Sequence, residues 1–419
     1  MPSVDAAILS DVRALAAYLI FFGSYFVFAL GTFPWMKIDR PGAAIIGGVL
    51  MVAFGIVGAP EALASIDFTT VVLLFSMMLI AGNLRAIGFF DWITESVIQR
   101  LRPNHLLPTV IFSSGLLSAF LVNDIVCLVM TPFVLQLTRR LGVQPIPYVL
   151  AVATASNVGS VATITGNPQN MLIGSLSGIH YVDFMTRLGP VALAGLFLTW
   201  AVLHTIYLRR STDKVPVQEA LAAPEFQHQR LRKKPVVVVG IVLAGFMAGV
   251  PAAMMAAIGA ALLLITRTVD PHKVYAQVDW GLLVFFIGLF IIVGGADRAG
   301  LTANLLHPVA ATWDLHRLPV FVGVTALMSN VVSNVPAVML LRTLIPAFPD
   351  AQDGWMALAM ASTLAGNLTI AGSVANVIVV ERAAAEGVHI GFREHLRAGL
   401  PVTLATLAFG TLWLWLEPS

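Results

Sequence analysis

The string Thr163-Ile164-Thr165-Gly166-Asn167-Pro168-Gln169-Asn170 returns in the second half of the chain as Thr369-Ile370-Ala371-Gly372-Ser373-Val374-Ala375-Asn376. Each copy lies inside a long apolar stretch, where Gly, Asn and Pro are unwelcome in an uninterrupted helix. Gly permits positive φ, and Pro denies the helix one N–H while restricting the residue before it, so the helix is expected to unwind there. A membrane helix broken in this way leaves loose N–H groups at one half-helix N-terminus and loose C=O groups at the other half's C-terminus. Anions suit the first and cations the second. Two such breaks at matching positions point to a secondary transporter.

The rest of the chain reads as lipid-embedded. Its hydrophobic share of 58% and mean hydropathy of +0.88 exceed what a soluble domain carries, and its charged share of 11% falls well below it. The 419 residues hold about ten spans of roughly twenty residues with short loops. Hydropathy predicts crossings at 14–33, 42–59, 69–89, 147–174 and 184–208, and again at 236–249, 252–266, 280–296, 355–380 and 396–415. The long polar segment from Arg209 to Pro235 divides the chain into a first half (1–210), a cytosolic linker (211–235) and a second half (236–419). An odd number of crossings per half turns the second half upside down.

Two further stretches carry a polar centre in an apolar frame: 106–137 around Asn123-Asp124, and 318–348 around Ser333-Asn334. Arms of about thirteen to seventeen residues rise roughly 20 to 25 Å, short of a ~30 Å hydrocarbon core, which favours re-entrant hairpins. Two full spans in each place give the same parity. Asp67 to Gly88 also lines up with Asp279 to Gly300, setting Ile80 against Ile292 and Gly82 against Gly294. The expected fold is an all-α polytopic membrane protein of two inverted-topology repeats, each with five spans, a re-entrant helical hairpin and a broken helix.

Charge placement orients it. One side collects Lys37, Arg40, Arg85, Arg100, Arg102, Arg139, Arg140, the linker cluster, Arg267, Lys273, Arg382, Arg393 and Arg397; the other receives Arg13, Arg187, Arg298, Arg317 and Arg342. The positive-inside rule makes the first side cytosolic and puts both termini outside the plasma (inner) membrane. The first residues lack a basic n-region, so the first apolar segment is expected to be retained. Trp280, Trp313, Trp413 and Trp415 fall at span ends, as an interfacial belt requires.

Asp124 is the sharpest single residue, because a carboxylate at hairpin-tip depth is costly unless it binds a cation or carries a proton. Asn167 and Asn170 supply carboxamide groups without fixed charge, and Ser373 and Asn376 hold the equivalent places in the second copy. Arg342 is expected near the outer surface with its guanidinium in headgroups. His204, alone within a span, reads as a buried hydrogen-bonded imidazole. The single cysteine, Cys127, excludes an intramolecular disulfide and a multi-cysteine metal site. An intramembrane enzyme is disfavoured: there is no His-Glu-x-x-His, and Gly174-Ser175-Leu176-Ser177-Gly178 lacks Ser at the centre of a nucleophile elbow.

Leu121-Val122-Asn123-Asp124 together with Ser156-Asn157-Val158-Gly159-Ser160-Val161-Ala162-Thr163 and the Gly166-Asn167-Pro168-Gln169-Asn170 string resembles the ion transporter superfamily, in its citrate-transporter-like and arsenite-permease branches. Ser333-Asn334-Val335-Pro336 and Gly372-Ser373-Val374-Ala375-Asn376 resemble that group's second hairpin and second broken helix. The resemblance runs from about Asp67 onward and implies a dimeric inverted-repeat carrier that moves a transport domain against a scaffold. The related sodium-coupled dicarboxylate carriers repeat Ser-Asn-Thr at their tips, where this chain has Asn123-Asp124-Ile125 and Ser333-Asn334-Val335.

The expected function is secondary active transport of a small anion or oxyanion (citrate or another carboxylate, an inorganic anion, or arsenite), coupled to H+ or Na+. A Na+/H+ antiporter is the alternative. The candidate site comprises Asn123, Asp124, Thr165, Gly166, Asn167, Pro168, Asn170, Ser333, Asn334, Thr369, Gly372, Ser373 and Asn376, with Na+ at Asn123, Asp124, Asn167 and Asn170. Beyond the coupling ion no cofactor is expected. The expected partners are the solute, the bilayer and a second copy of the chain, without nucleic acid.

Overall fold

In a computed structural model, the residues described are 4–33, 37–90, 92, 105–208, 233–265 and 269–417. Most of the linker, Arg100, Arg102 and Arg267 lie outside them. The described residues form α1 (Val4–Leu30), α2 (Arg40–Ala53), α3 (Phe68–Ala86), α4 (Leu106–Phe120), α5 (Asn123–Leu141), α6 (Ile146–Ser160), α7 (Pro168–Ser177) and α8 (Tyr181–Leu203). The second half supplies α9 (Lys233–Met247), α10 (Ala252–Ile265), α11 (Trp280–Arg298), α12 (Leu318–Val332), α13 (Asn334–Leu341), α14 (Ala351–Leu364), α15 (Val374–Ala385) and α16 (Phe392–Leu416). A two-residue antiparallel pair, Thr32–Phe33 with Ile38–Asp39, joins α1 to α2. The protein is an all-α polytopic membrane protein.

Local chemistry sets the helix ends. Asp67 caps α3 by accepting from the Thr69 N–H at 3.0 Å and the Thr70 hydroxyl at 2.7 Å. Asp279 caps α11 through the Leu282 N–H at 2.9 Å. Gly88 and Gly300 follow those helices at φ +72° and +80°, a conformation that ends a helix and favours glycine. The alignment of Asp67–Gly88 with Asp279–Gly300 is thus matched by the same cap and the same stop.

Five described helices are long and apolar enough to cross a bilayer: Val12–Leu30, Phe68–Ala86, Tyr181–Leu208, Trp280–Arg298 and Phe392–Leu416. The helices α2, α9 and α10 are shorter, at 14, 15 and 14 residues, so of the ten expected crossings these three are thin. The two broken helices gain their length from two half-helices each, α6 with α7 and α14 with α15. Each hairpin turns at a tip buried in protein, with Leu121, Val122 and Asn123 inaccessible in the first and Asn334 in the second. The first hairpin extends past the expected residue 137, to Leu141, where Gly142 stops it at φ +63°.

Packing sorts the helices into two sets. One contains α1, α2, α3, α9, α10 and α11, with α2 against α11 and α3 against α10. The other contains the hairpins, the broken helices, α8 and α16, with α4 on α6, α12 on α14, α5 on α15 and α8 on α16. Among the described residues few polar contacts cross the seam: the Tyr25 hydroxyl of α1 donates to the Pro336 carbonyl of α13 at 3.1 Å, and Arg342, directly after α13, lies 3.9 Å from Asp297 of α11.

Candidate functional site

The first break begins where α6 ends at Ser160 and finishes where α7 begins at Pro168. Asn167, in extended conformation, caps α7 by accepting from the Asn170 N–H at 2.8 Å. The Asn170 side chain reaches back across the gap and donates to the Ser160 and Thr163 carbonyls, both at 3.0 Å. In the second break Asn376 does the same, donating to Gly366 at 2.7 Å and Thr369 at 3.0 Å. Gly366 and Thr369 are the register equivalents of Ser160 and Thr163. Loose carbonyls created by the break are therefore satisfied by one carboxamide in each half, which buried backbone demands.

The glycines in the two strings are dictated by the same closeness. A Cβ on Gly166 would collide with the Ser160 backbone, and one on Gly372 would lie 3.0 Å from the Gly366 carbonyl and 2.7 Å from Asn330 Oδ1.

The breaks are also tied to each other. Asn157 of α6 accepts from Asn123 at 3.1 Å and from the Ser373 hydroxyl at 3.0 Å, and donates to Asn367 at 2.9 Å and Asn376 at 3.1 Å. Its register equivalent in α14, Thr363, accepts from Asn167 and Gln169, both at 3.2 Å, and donates to Asn170 at 3.3 Å. Each half thus sends one buried polar side chain into the other half's break.

The hairpin tips complete the arrangement. Asn123 Oδ1 is buried with no hydrogen-bond partner. Asp124 follows in the first turn of α5, and among the described residues no cation or donor pairs with its carboxylate. Ser333 sits at φ +78°, ψ 159°, a region normally reserved for glycine that costs about 1–3 kcal/mol. Such strain persists only where surrounding structure imposes it. Asn334, with its amide nitrogen turned inward, donates to the Gly372 and Ser362 carbonyls at 3.2 and 3.1 Å.

Both tips and both breaks face one partly enclosed cavity of about 180 Å³. Its walls are Arg40 and Pro41 of α2, Asn123 and Asp124 of α5, Pro168 and Gln169 of α7, Asp279, Leu282 and Phe285 at α11, Ser333, Asn334 and Val335 at α13, and Ser373 and Val374 at α15. Apart from Phe285, every lining residue is an N-cap or lies in the first turn of its helix. Six helix N-termini therefore converge, those of α2, α7 and α11 capped by Asp39, Asn167 and Asp279 and those of α5, α13 and α15 without a side-chain cap, so that their first-turn N–H groups carry partial positive charge.

Of the residues expected from sequence, Asn123, Asp124, Pro168, Ser333, Asn334 and Ser373 line this cavity. Thr165, Gly166, Asn167, Asn170, Thr369, Gly372 and Asn376 lie behind it, in the framework of the breaks. Thr165 meets the Tyr181 hydroxyl at 2.9 Å, and Thr369 donates to Asn330 at 3.2 Å. The four residues expected to share Na+ are divided by this: Asn123 and Asp124 face the cavity, whereas Asn167 and Asn170 are fully buried and engaged with Ser160, Thr163 and Thr363.

Arg40, Gln169 and Asp279 also line the cavity, and Asn157 and Thr363 bind its walls together; sequence reading gave none of these a site role. Gln169 stood inside the repeated string, Asn157 inside the stretch that carries the family resemblance and Asp279 at the start of the aligned segment, so these three carried a signal. His204 is exposed beside Trp200, at 5.7 Å between rings, rather than buried. Arg342 is partly buried, 3.9 Å from Asp297, instead of extended into headgroups. Trp280, Trp313 and Trp415 are exposed, but Trp413 turns inward and donates to the Arg187 carbonyl at 3.0 Å.

Long apolar helices, buried hairpin tips and two interrupted helices around one polar cavity define a multi-pass membrane transporter. The chain belongs to the citrate transporter family, whose model matches residues 25–365. Among curated relatives it is similar to the silicon efflux transporter LSI3 of Oryza sativa subsp. japonica, with 30% identity over 93% of this chain and 95% of that protein. An uncharacterized transporter of Mycobacterium tuberculosis, Rv2684, is 28% identical over 96% of this chain and 98% of its own length. The putative transporter arsB of Dictyostelium discoideum is 25% identical over 90% and 87%. Among solved structures, the Alcanivorax borkumensis YdaH transporter, described as having an unusual topology, covers 98% of both chains at a TM-score of 0.58 and 16% identity; this likeness concerns the fold.

Proposed function

We propose that this protein is a secondary active transporter of a small anion or oxyanion, driven by a Na+ or H+ gradient. The observation that carries the reading is the convergence of six helix N-termini on one cavity that also holds a carboxylate without a partner. Helix N-termini suit an anion. The Asp124 carboxylate and the free Asn123 Oδ1 suit the coupling cation, and binding both together leaves neither charge uncompensated in a low-dielectric site.

In the mechanism, Asn123 and Asp124 take the cation or proton, while Asn334, Ser373 and the open first turns of α13 and α15 hold the solute. Asn167, Asn170 and Asn376 keep the breaks open instead of touching it. The halves, 1–210 and 236–419, act as inverted repeats joined by a cytosolic linker, with both termini outside the plasma membrane. The hairpins, broken helices, α8 and α16 move as one body against the other set in an elevator-type cycle, in a homodimer. The scarcity of polar contacts across the seam among the described residues supports such sliding. In that orientation the cavity ends toward the cytosol, where Arg40 and Asp279 begin α2 and α11.

A Na+/H+ antiporter is the second reading, favoured by Asp124 alone. Everted vesicles separate the two. Anion-dependent proton or sodium movement, and accumulation of the anion against its gradient, are expected; sodium-driven proton release indifferent to every anion would leave only the antiporter. Accumulation also rules out a passive channel.

A further inference from the structure

Arg40 is the one cationic side chain among the described residues lining the cavity, and it does not belong to a hairpin or a broken helix. It opens α2, directly after the short Thr32–Phe33/Ile38–Asp39 ribbon that fixes the entry of that helix. Its Nε donates to the Phe28 carbonyl at the end of α1, at 3.0 Å, which holds the guanidinium plane. The neighbouring Asp39 is occupied with its own helix, accepting from the Gly42 N–H at 2.9 Å. No ion pair of the described residues includes Arg40. Its two terminal nitrogens remain, beside a cavity whose other fixed charges are the Asp124 and Asp279 carboxylates.

A planar guanidinium anchored at one edge presents paired donors at a spacing that matches two oxygens of a carboxylate or oxyanion. The same cavity is lined by two helix N-termini without side-chain caps: Ser333 and Ser373 make no capping bond to α13 and α15. A neutral hydroxide gains nothing from a fixed cation and leaves those N–H groups weakly paired.

We propose that Arg40 is a substrate-binding residue that sets the charge class of the solute: it grips a carboxylate or an inorganic oxyanion and discriminates against neutral hydroxides such as silicic or arsenous acid. This rests on the reading of the cavity as the solute site. Asp124 and Asp279 then balance the coupling cation rather than Arg40.

The test is thermal stabilisation of the purified full-length protein at neutral pH by citrate, sulfate, phosphate, arsenite and silicic acid, with Na+ present, since a ligand stabilises only what it binds in the folded form. At least one of the three anions is expected to raise the melting temperature of the wild type. The Arg40→Gln protein should need roughly tenfold more of that anion or beyond, the loss of a charge-assisted bond. Arg40→Lys, which keeps the charge without the fork, should fall between and guards against a folding defect in the first variant. Val374→Trp, which fills the cavity, should remove the effect altogether.

If Val374→Trp blocks binding while Arg40→Gln and Arg40→Lys bind like the wild type, the role of Arg40 is refuted and the cavity reading stands. If Val374→Trp binds normally, or no probe stabilises the wild type, both go. Stabilisation by silicic acid or arsenite alone overturns the proposed charge class while leaving the cavity in place.

Discussion

The two broken helices are wired alike and finished differently. Asn170 and Asn376 close the two gaps with equivalent bonds. Yet Asn167 caps its half-helix, whereas Ser373 turns its hydroxyl to Asn157 and leaves α15 uncapped. The hairpin tips differ in the same sense: Asp124 adds a negative charge to the first, and neutral Asn334 occupies the second. In the proposed mechanism a shared backbone device yields a wall for the cation in one half and for the anion in the other, because capping and first-turn charge decide what a helix N-terminus attracts.

The harshest test of this contrast is Asp124→Asn, which makes the first tip resemble the second. Loss of gradient-driven transport is expected in proteoliposomes, along with its dependence on pH and sodium. Transport that kept both dependences would remove the electrical distinction between the halves.

Next in size are the paired glycines. Gly166→Ala drives a Cβ into backbone and should cost about 3 kcal/mol or more of stability. Gly372→Ala meets mainly the Asn330 side chain, which can shift, and should cost about 1 kcal/mol. Equal losses in unfolding experiments would mean that the second gap is as tight as the first.

The hubs give a smaller difference. Asn157→Ala removes bonds to Asn123, Ser373, Asn367 and Asn376 together and should cost about 3 kcal/mol, whereas Thr363→Val removes three longer bonds, at 3.2 to 3.3 Å, and should cost about 1–2 kcal/mol. A reversed order would identify Thr363 as the principal tie. Smallest is Tyr181→Phe, which removes one hydroxyl contact with Thr165, a bond without an equivalent at Ala371; a loss of about 1 kcal/mol is expected, with solute selectivity unchanged.

Much of this was legible in the chain. The breaks at Gly166-Asn167-Pro168 and Gly372-Ser373-Val374 were readable because Gly, Pro and polar residues in apolar sequence have few other meanings. The turns at Asn123-Asp124 and Ser333-Asn334 were readable as polar centres in apolar sequence, and arm length against bilayer thickness favoured re-entrant hairpins over two full spans. Arg40 was read only as a charge on the cytosolic side, since a basic residue at a span end ordinarily serves that purpose. Asp279 was read only as the start of a segment that matches Asp67 to Gly88; it caps α11, and its place on the cavity wall depends on α11 packing beside α2. His204 misled because hydropathy does not say which face of a long helix meets protein.

By itself the sequence determined that this is a polytopic membrane protein and where its helices are interrupted. These follow from the cost of unpaired backbone and charge in hydrocarbon, which acts on local composition. Only the tertiary structure decided which polar groups face the cavity: it turned Asn167, Asn170 and Asn376 into supports for the backbone, joined the halves through Asn157 and Thr363, and brought Arg40 and Asp279 to the wall. A side chain's direction depends on how distant helices pack, and that information is spread over the whole chain.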